Sequence, residues 1–202
     1  MPSTWHLLSM LGDSRLLLPM AAILLVAGSH AGAVWHVRWA MALMLVGLIV
    51  LISKLAFLGW GIGVASLDFT GFSGHAAMSA VIWPMTAFIA ARTHRAGNWA
   101  AMLGFALAAA VGYSRIPLNA HSWSEVISGA LLGAVGSAWV LGATSSATRR
   151  LHAGWAALAL AIGCCAPVAF PQVRTHHLVV QMATALSGAA KAFDRSALHG
   201  EK

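Results

Sequence analysis

Seven residues at three places in the chain carry the chemistry of a phosphate site: Lys54, then Ser73, Gly74 and His75, then Arg115, His121 and Glu125. Lysine and arginine supply fixed positive charge, and the arginine fork can bind two phosphate oxygens at once. Ser73 and Gly74 stand where a helix is expected to begin, so that free backbone N–H groups and the helix dipole favour an anion there. Two histidines offer a nucleophile and a general acid. Glu125 follows His121 by four residues; in the first turn of a helix the two share a face, and the carboxylate can hold one ring nitrogen while the other is presented as a nucleophile. Together these groups suit phosphoryl transfer with no metal and no cofactor.

The elements that must position them are read from charge. Of 202 residues, 12 are basic and 5 acidic, so 8% are charged, against about 25% in an ordinary soluble domain. Hydrophobic residues make up 59%, and mean hydropathy is +0.79. A soluble fold needs a charged shell that this chain cannot supply, and a disordered chain would be poor in apolar residues. The composition is that of an integral membrane protein. Charge-free runs cover 16–37, 39–53, 69–91, 96–114, 126–148 and 151–173. A spanning helix takes about 20 apolar residues, and the second run reaches that length if Lys54 snorkels and 55–60 extend it. The fold predicted is all-α, an integral membrane six-helix bundle. Residues 1–174 form the six-span domain, and 175–202 an interfacial amphipathic helix and tail.

The net charge of +7 reflects topology rather than nucleic-acid binding, because no aromatic-basic surface accompanies it. Arg38, Arg92, Arg95, Arg149 and Arg150 lie in alternate links with no opposing acid. The positive-inside rule puts those links in the cytoplasm and both candidate segments on the other side. Residues 16–27 are read as span one rather than a cleaved leader, since Asp13 and a single arginine make a poor n-region. The flanking tryptophans (Trp35, Trp39, Trp60, Trp99 and Trp155) are expected in an interfacial belt, Trp123 there or in the pocket wall, and Pro84 at a kink or a packing point. His176-His177 lack companion metal ligands.

On six spans, the segments Asp68-Phe69-Thr70-Gly71-Phe72-Ser73-Gly74-His75 and 114–125 emerge at one membrane face, where Lys54 joins them. Here the residues resemble the type-2 phosphatidic acid phosphatases, whose fold is shared with vanadium haloperoxidases. That family's third motif is Ser-Arg, five residues, His, three residues, Asp; the chain has Ser114-Arg115, five residues, His121, three residues, Glu125. The second is Pro-Ser-Gly-His, matched by Phe72-Ser73-Gly74-His75. The first is Lys, six residues, Arg-Pro; Lys54 fits, but Gly61 and Ile62 stand where Arg-Pro is expected. Asp68 cannot replace that arginine, being an anion. Either a basic residue elsewhere compensates, or turnover is slow.

The resemblance implies roles. His121 attacks phosphorus and becomes phosphohistidine, Glu125 orients it, and His75 protonates the leaving oxygen and later activates water. Lys54, Ser73, Gly74 and Arg115 hold the phosphate oxygens. The implied activity is hydrolysis of a lipid phosphate or pyrophosphate, of the undecaprenyl pyrophosphate or phosphatidate type. The partners are then the membrane and a lipid phosphate, not nucleic acid. The expected location is a bacterial inner membrane, multi-pass, with the active site on the periplasmic or outer face. Two alternatives stay open: a lipid phosphotransferase using the same site, and a non-catalytic lipid-binding or transport protein with a degenerate site.

Overall fold

The computed structural model describes residues 3–30, 35–91, 94–144, 153–169 and 175–198. Among these the regular structure is helical, apart from an isolated bridge between Val64 and Phe69. In order the helices are α1 (Thr4–Met10), α2 (Ser14–His30), α3 (Trp35–Trp60), α4 (Gly74–Ala90), α5 (His94–Ser114), α6 (Trp123–Gly142), α7 (Ala153–Ala169), α8 (Thr175–Ser187) and the short turn α9 (Arg195–Leu198). The charge-free runs overlap α2 to α7, although α3 begins before Arg38 and continues past Lys54. By length and composition, four described stretches can cross a membrane: Thr4–His30, Trp35–Trp60, Arg95–Ser114 and Trp123–Gly142. Gly74–Ala90 and Gly154–Ala169 are apolar but shorter. Large apolar side chains also cover the outside, with Met44 and Leu103 each 72% exposed. A surface of that kind belongs in lipid rather than water.

Helix α4 is the centre, touching α2, α3, α5, α6 and α7. Its contact with α6 is the one that builds the site. Gly129 and Gly133 lie four residues apart on one face of α6. A Cβ at Gly129 would stand 2.8 Å from the Ser73 carbonyl oxygen, and one at Gly133 only 2.1 Å from that of Ala77. The two backbones approach closely because neither position has a side chain, the small-residue packing that suits helices in lipid. One turn further along, Ser137 Oγ donates to the Ala80 carbonyl at 2.7 Å. At the other end of the seam, Ser73 N–H donates to the Glu125 carbonyl at 3.0 Å. The starts of α4 and α6 are therefore locked together.

Two expectations are corrected by burial. Trp35 and Trp39 are 4% and 0% exposed, and Trp39 Nε1–H donates to the Val81 carbonyl at 2.9 Å. They are core residues whose indole N–H finds a backbone partner, as a buried tryptophan requires. Trp60, Trp99 and Trp155 are exposed near helix ends, as a belt would have them. Pro84 is a packing point: α5 passes so near that a Cβ at Gly104 would meet the Pro84 backbone. Of the basic links, Arg92, Arg149 and Arg150 lie outside the described residues.

Candidate active site

Lys54 lies on the last two turns of α3, Gly74 and His75 open α4, Arg115 follows α5, and His121 and Glu125 flank the start of α6. All belong to helix ends on one side of the bundle. The His121–Glu125 pair is direct: Nδ1 lies 2.6 Å from Oε2. It arises differently from the shared helical face expected from the spacing. Ser122 is the N-cap of α6, so His121 precedes the helix. A capping box makes the pair, with Glu125 N–H donating to Ser122 Oγ at 3.4 Å and Ser122 N–H donating to Glu125 Oε2 at 3.1 Å. That reach back from the third helical position is what a glutamate does in a capping box. The longer side chain is thereby matched to its place.

Glu125 is fully buried, and its charge is met from every side. Oε1 accepts from Thr70 N–H at 2.8 Å and from Thr70 Oγ1 at 2.5 Å. Oε2 accepts from Ser122 N–H, from Arg195 Nη2 at 2.9 Å, and from His121 Nδ1 when that nitrogen carries its proton. A carboxylate taking this many donors stays ionised. It also fixes the His121 tautomer, leaving Nε2 as the free lone pair.

The cations around this pair are placed in the opposite way. Lys54 is partly buried, within electrostatic range of Glu125 and Arg115, and takes part in no side-chain hydrogen bond among the described residues. Arg115 donates from Nη1 to Ser9 Oγ at 2.5 Å, while its buried Nε has no partner among the described residues. His75 lies within range of Arg115, Asp13, His121 and Lys54, again without a hydrogen bond among the described residues. Ser73 is fully buried and caps α4, accepting from Ala76 N–H at 3.5 Å. The next two N–H groups, of Gly74 and His75, are ones that the helix itself cannot satisfy. A Cβ on Gly74 would meet Val50 at an ordinary 3.6 Å, so packing within the protein does not demand glycine there. Arranged this way, two cations, an imidazole and a helix N-terminus surround a histidine whose Nδ1 is engaged by Glu125. Burial lowers the pKa of His121, with Lys54 and Arg115 acting in the same direction and the bond to Glu125 opposing them.

Residues 59–149 match the PAP2 superfamily. Over 207 aligned residues the chain is 40% identical to a Klebsiella pneumoniae protein described as an uncharacterized 22.5 kDa protein in cps region, covering 96% of this chain and 97% of that one. The chain belongs to the PAP2 superfamily. No solved structure matches it significantly. The superfamily generally comprises phosphatases, enzymes that hydrolyse phosphoric esters. Ser73, Gly74, His75, Arg115, His121 and Glu125 fall inside the matched stretch, and Lys54 lies just ahead of it.

Three participants escape sequence reasoning. Thr70 and Ser9 carry no motif and matter only through the distances above. Arg195 is 70 residues from Glu125 in the chain, and no local pattern could join them. A basic residue from elsewhere does reach the site, as the missing Arg-Pro suggested, but it binds carboxylates.

Proposed function

We propose that this PAP2 protein is a metal-independent lipid phosphatase whose six spans, α2 to α7, carry the site at the outer membrane face. The observation that supports this best is the juxtaposition of the Glu125-held His121 with Lys54, which makes no side-chain hydrogen bond among the described residues, and Arg115, whose Nε has no partner among them while Nη1 is held by Ser9. A substrate phosphate takes those donors together with the N–H groups of Gly74 and His75. His121 Nε2 attacks phosphorus, the bond to the lipid oxygen breaks, and His75 delivers a proton to that oxygen. The phosphate's own charge favours a protonated His75. Water then enters, His75 removes its proton, the P–N bond breaks, and inorganic phosphate leaves with both histidines restored. Trp123 is 55% exposed and its ring lies tilted against that of Tyr113 at 5.9 Å, with Trp5 edge-on to Tyr113; these rings suit the headgroup layer, where a lipid whose head is little more than phosphate would arrive.

The test is phosphate release in detergent micelles containing EDTA, comparing wild type with His121→Ala over undecaprenyl pyrophosphate, phosphatidate, phosphatidylglycerol phosphate and lipid A. Release from at least one lipid, lost in the variant, is the expected result. Abolition by EDTA with rescue by magnesium would overturn the mechanism. Release that appears only when a second lipid is added would make the protein a phosphotransferase.

A further inference from the structure

The chain departs from its family's first motif at Gly61, and the structure shows what lies there instead. Gly61 ends α3 in the left-handed conformation, at φ 68°, with its N–H bonded to the Phe57 carbonyl at 2.8 Å. A Cβ at this position would touch the Phe193 ring at 3.1 Å. Phe193 N–H donates to the Leu58 carbonyl at 2.9 Å, and the Leu198 side chain lies against Gly63. Before that, α8 packs along α3 through Val179 and Ala183. The segment after α8 therefore occupies the end of α3, and two residues beyond Phe193 it delivers Arg195 to the site.

Arg195 bridges two anions. Nη1 pairs with the Asp68 carboxylate, and Nη2 donates to Glu125 Oε2 at 2.9 Å. Asp68 is itself held in the left-handed region, at φ 48°, in the loop that leads through Thr70 to Ser73. The arginine thus ties the loop before α4 to the carboxylate of α6. It is also the cation bonded to the same oxygen that faces His121 Nδ1. A carboxylate of zero exposure is costly to keep charged without such a partner.

We propose that Arg195 is a positioning residue: carried in by the segment docked on Gly61, it fixes and balances the Glu125 carboxylate that orients His121. This rests on the reading of His121 as the phosphoryl acceptor. The charged groups within range of His121 are Lys54 from α3, His75 from α4, Arg115 after α5 and Glu125 from α6; Arg195 joins them through Glu125. Removing the Arg195 charge leaves the Glu125 anion for His121 alone, which favours the imidazolium. A neutral substitute therefore moves the His121 titration to higher pH, while lysine leaves it near the wild-type position.

The experiment uses the full chain in detergent micelles, with phosphatidate as probe, and compares Arg195→Ala, Arg195→Gln and Arg195→Lys with wild type. The chain has ten histidines; ring nitrogens are followed by NMR, with His121 assigned by its loss in His121→Gln. The expected result for alanine and glutamine is a kcat about tenfold to a hundredfold lower, the range of a lost charged hydrogen bond. KM stays within about threefold, the His121 titration moves up, and added guanidinium restores part of the rate. Lysine keeps the titration and most of kcat. Unchanged titration and kcat in the glutamine variant would overturn the proposal. So would a fall in kcat that lysine shares equally with alanine and that leaves the titration in place, because that pattern is packing alone. If alanine unfolds, the lysine and glutamine pair decides. If wild type releases no phosphate from phosphatidate or from any other lipid of the panel above while the titration still moves, the phosphatase reading falls and the positioning role stands.

Discussion

On the His121 side of the site the Glu125 carboxylate is fully buried, and donors from Thr70, Ser122, His121 and Arg195 meet both of its oxygens. On the opposite side Lys54 has no hydrogen-bonded partner among the described residues, and the buried Nε of Arg115 has none either. The anion is matched within the protein; the cations are matched only in part. A buried charge left without a partner destabilises a fold, which is why the proposed function gives these cations an anion from outside. The contrast separates pre-organisation from binding. Under the proposed mechanism the saturated half orients His121 for attack, and the open half receives the substrate's charge.

The sharpest way to break that contrast is Glu125→Gln. The amide offers an N–H where an acceptor is required, so both the tautomer and the orientation of His121 are lost. We expect kcat to fall by about three orders of magnitude or more, as when the carboxylate of a catalytic triad becomes an amide, with KM little changed. Phosphate release under saturating lipid measures it. Asp68→Asn touches the same network one step out, through Arg195, and its loss should be at least tenfold smaller, on the scale of one charged hydrogen bond. Equal losses would remove Glu125 from its role.

The second test works on the open half and reverses the sign of stability. Lys54→Met removes a partly buried charge that makes no side-chain hydrogen bond among the described residues, and keeps the aliphatic length. Activity is expected to fall about tenfold to a hundredfold, mainly in KM, for a lost charge-assisted phosphate contact. The melting temperature should rise by a few degrees, the scale of about 1 kcal/mol in a chain of this size. Glu125→Gln should lower it. Inorganic phosphate should raise the melting temperature of wild type more than that of Lys54→Met. Two variants that lower activity while moving stability in opposite directions would establish the contrast; a Lys54→Met protein less stable than wild type would end it.

The two halves also differ in how far they could be read from sequence. Runs free of charge located α2 to α7, because lipid imposes long apolar helices and pushes charge to their ends. The order Lys54, His75, Arg115, His121 predicted that these side chains meet at one end of the bundle because connected helix ends alternate between faces. What sequence did not reveal was how the saturated half is held. Ser122 with Glu125 three residues later is a capping-box pattern that was open to inspection, as was Gly129 with Gly133. Arg195 was not legible by any local rule, since a contact across 70 residues depends on where α8 docks. Trp35 and Trp39 flank a span as belt residues do; only packing decides that they face inward.

Thr70→Val tests the saturated half more gently. It removes the hydroxyl that donates to Oε1 at 2.5 Å but leaves the backbone N–H at 2.8 Å in place. One donor remains on that oxygen and those on the other are untouched, so a loss of a few-fold up to about tenfold in kcat is expected, the range of one hydrogen bond to a charged group. A loss as large as that of Glu125→Gln would mean that the hydroxyl does more than share the charge.

The smallest effect is the one that reads both halves at once. Burial holds the His121 pKa below its ordinary value of about 6.5, Lys54 and Arg115 add to that, and Glu125 opposes it. Attack on phosphorus needs the neutral ring, so kcat/KM should hold through pH 6.5 on descending from neutrality and decline only further into acid. Stability follows a different rule. Between the folded and unfolded values the unfolded chain binds more protons at this histidine, so stability contributed by His121 is present above about 6.5 and is lost as pH falls below it. In Lys54→Met a nearby positive charge is gone, and the acid limb should move up by a fraction of a pH unit. In Glu125→Gln the favourable anion is gone, and the residual activity should show its limb displaced down. Opposite displacements from the two halves, seen in pH–rate profiles at constant ionic strength, are what a neutral nucleophile between a saturated anion and an open pair of cations must give. Displacement of both limbs in the same direction would place the titrating group elsewhere.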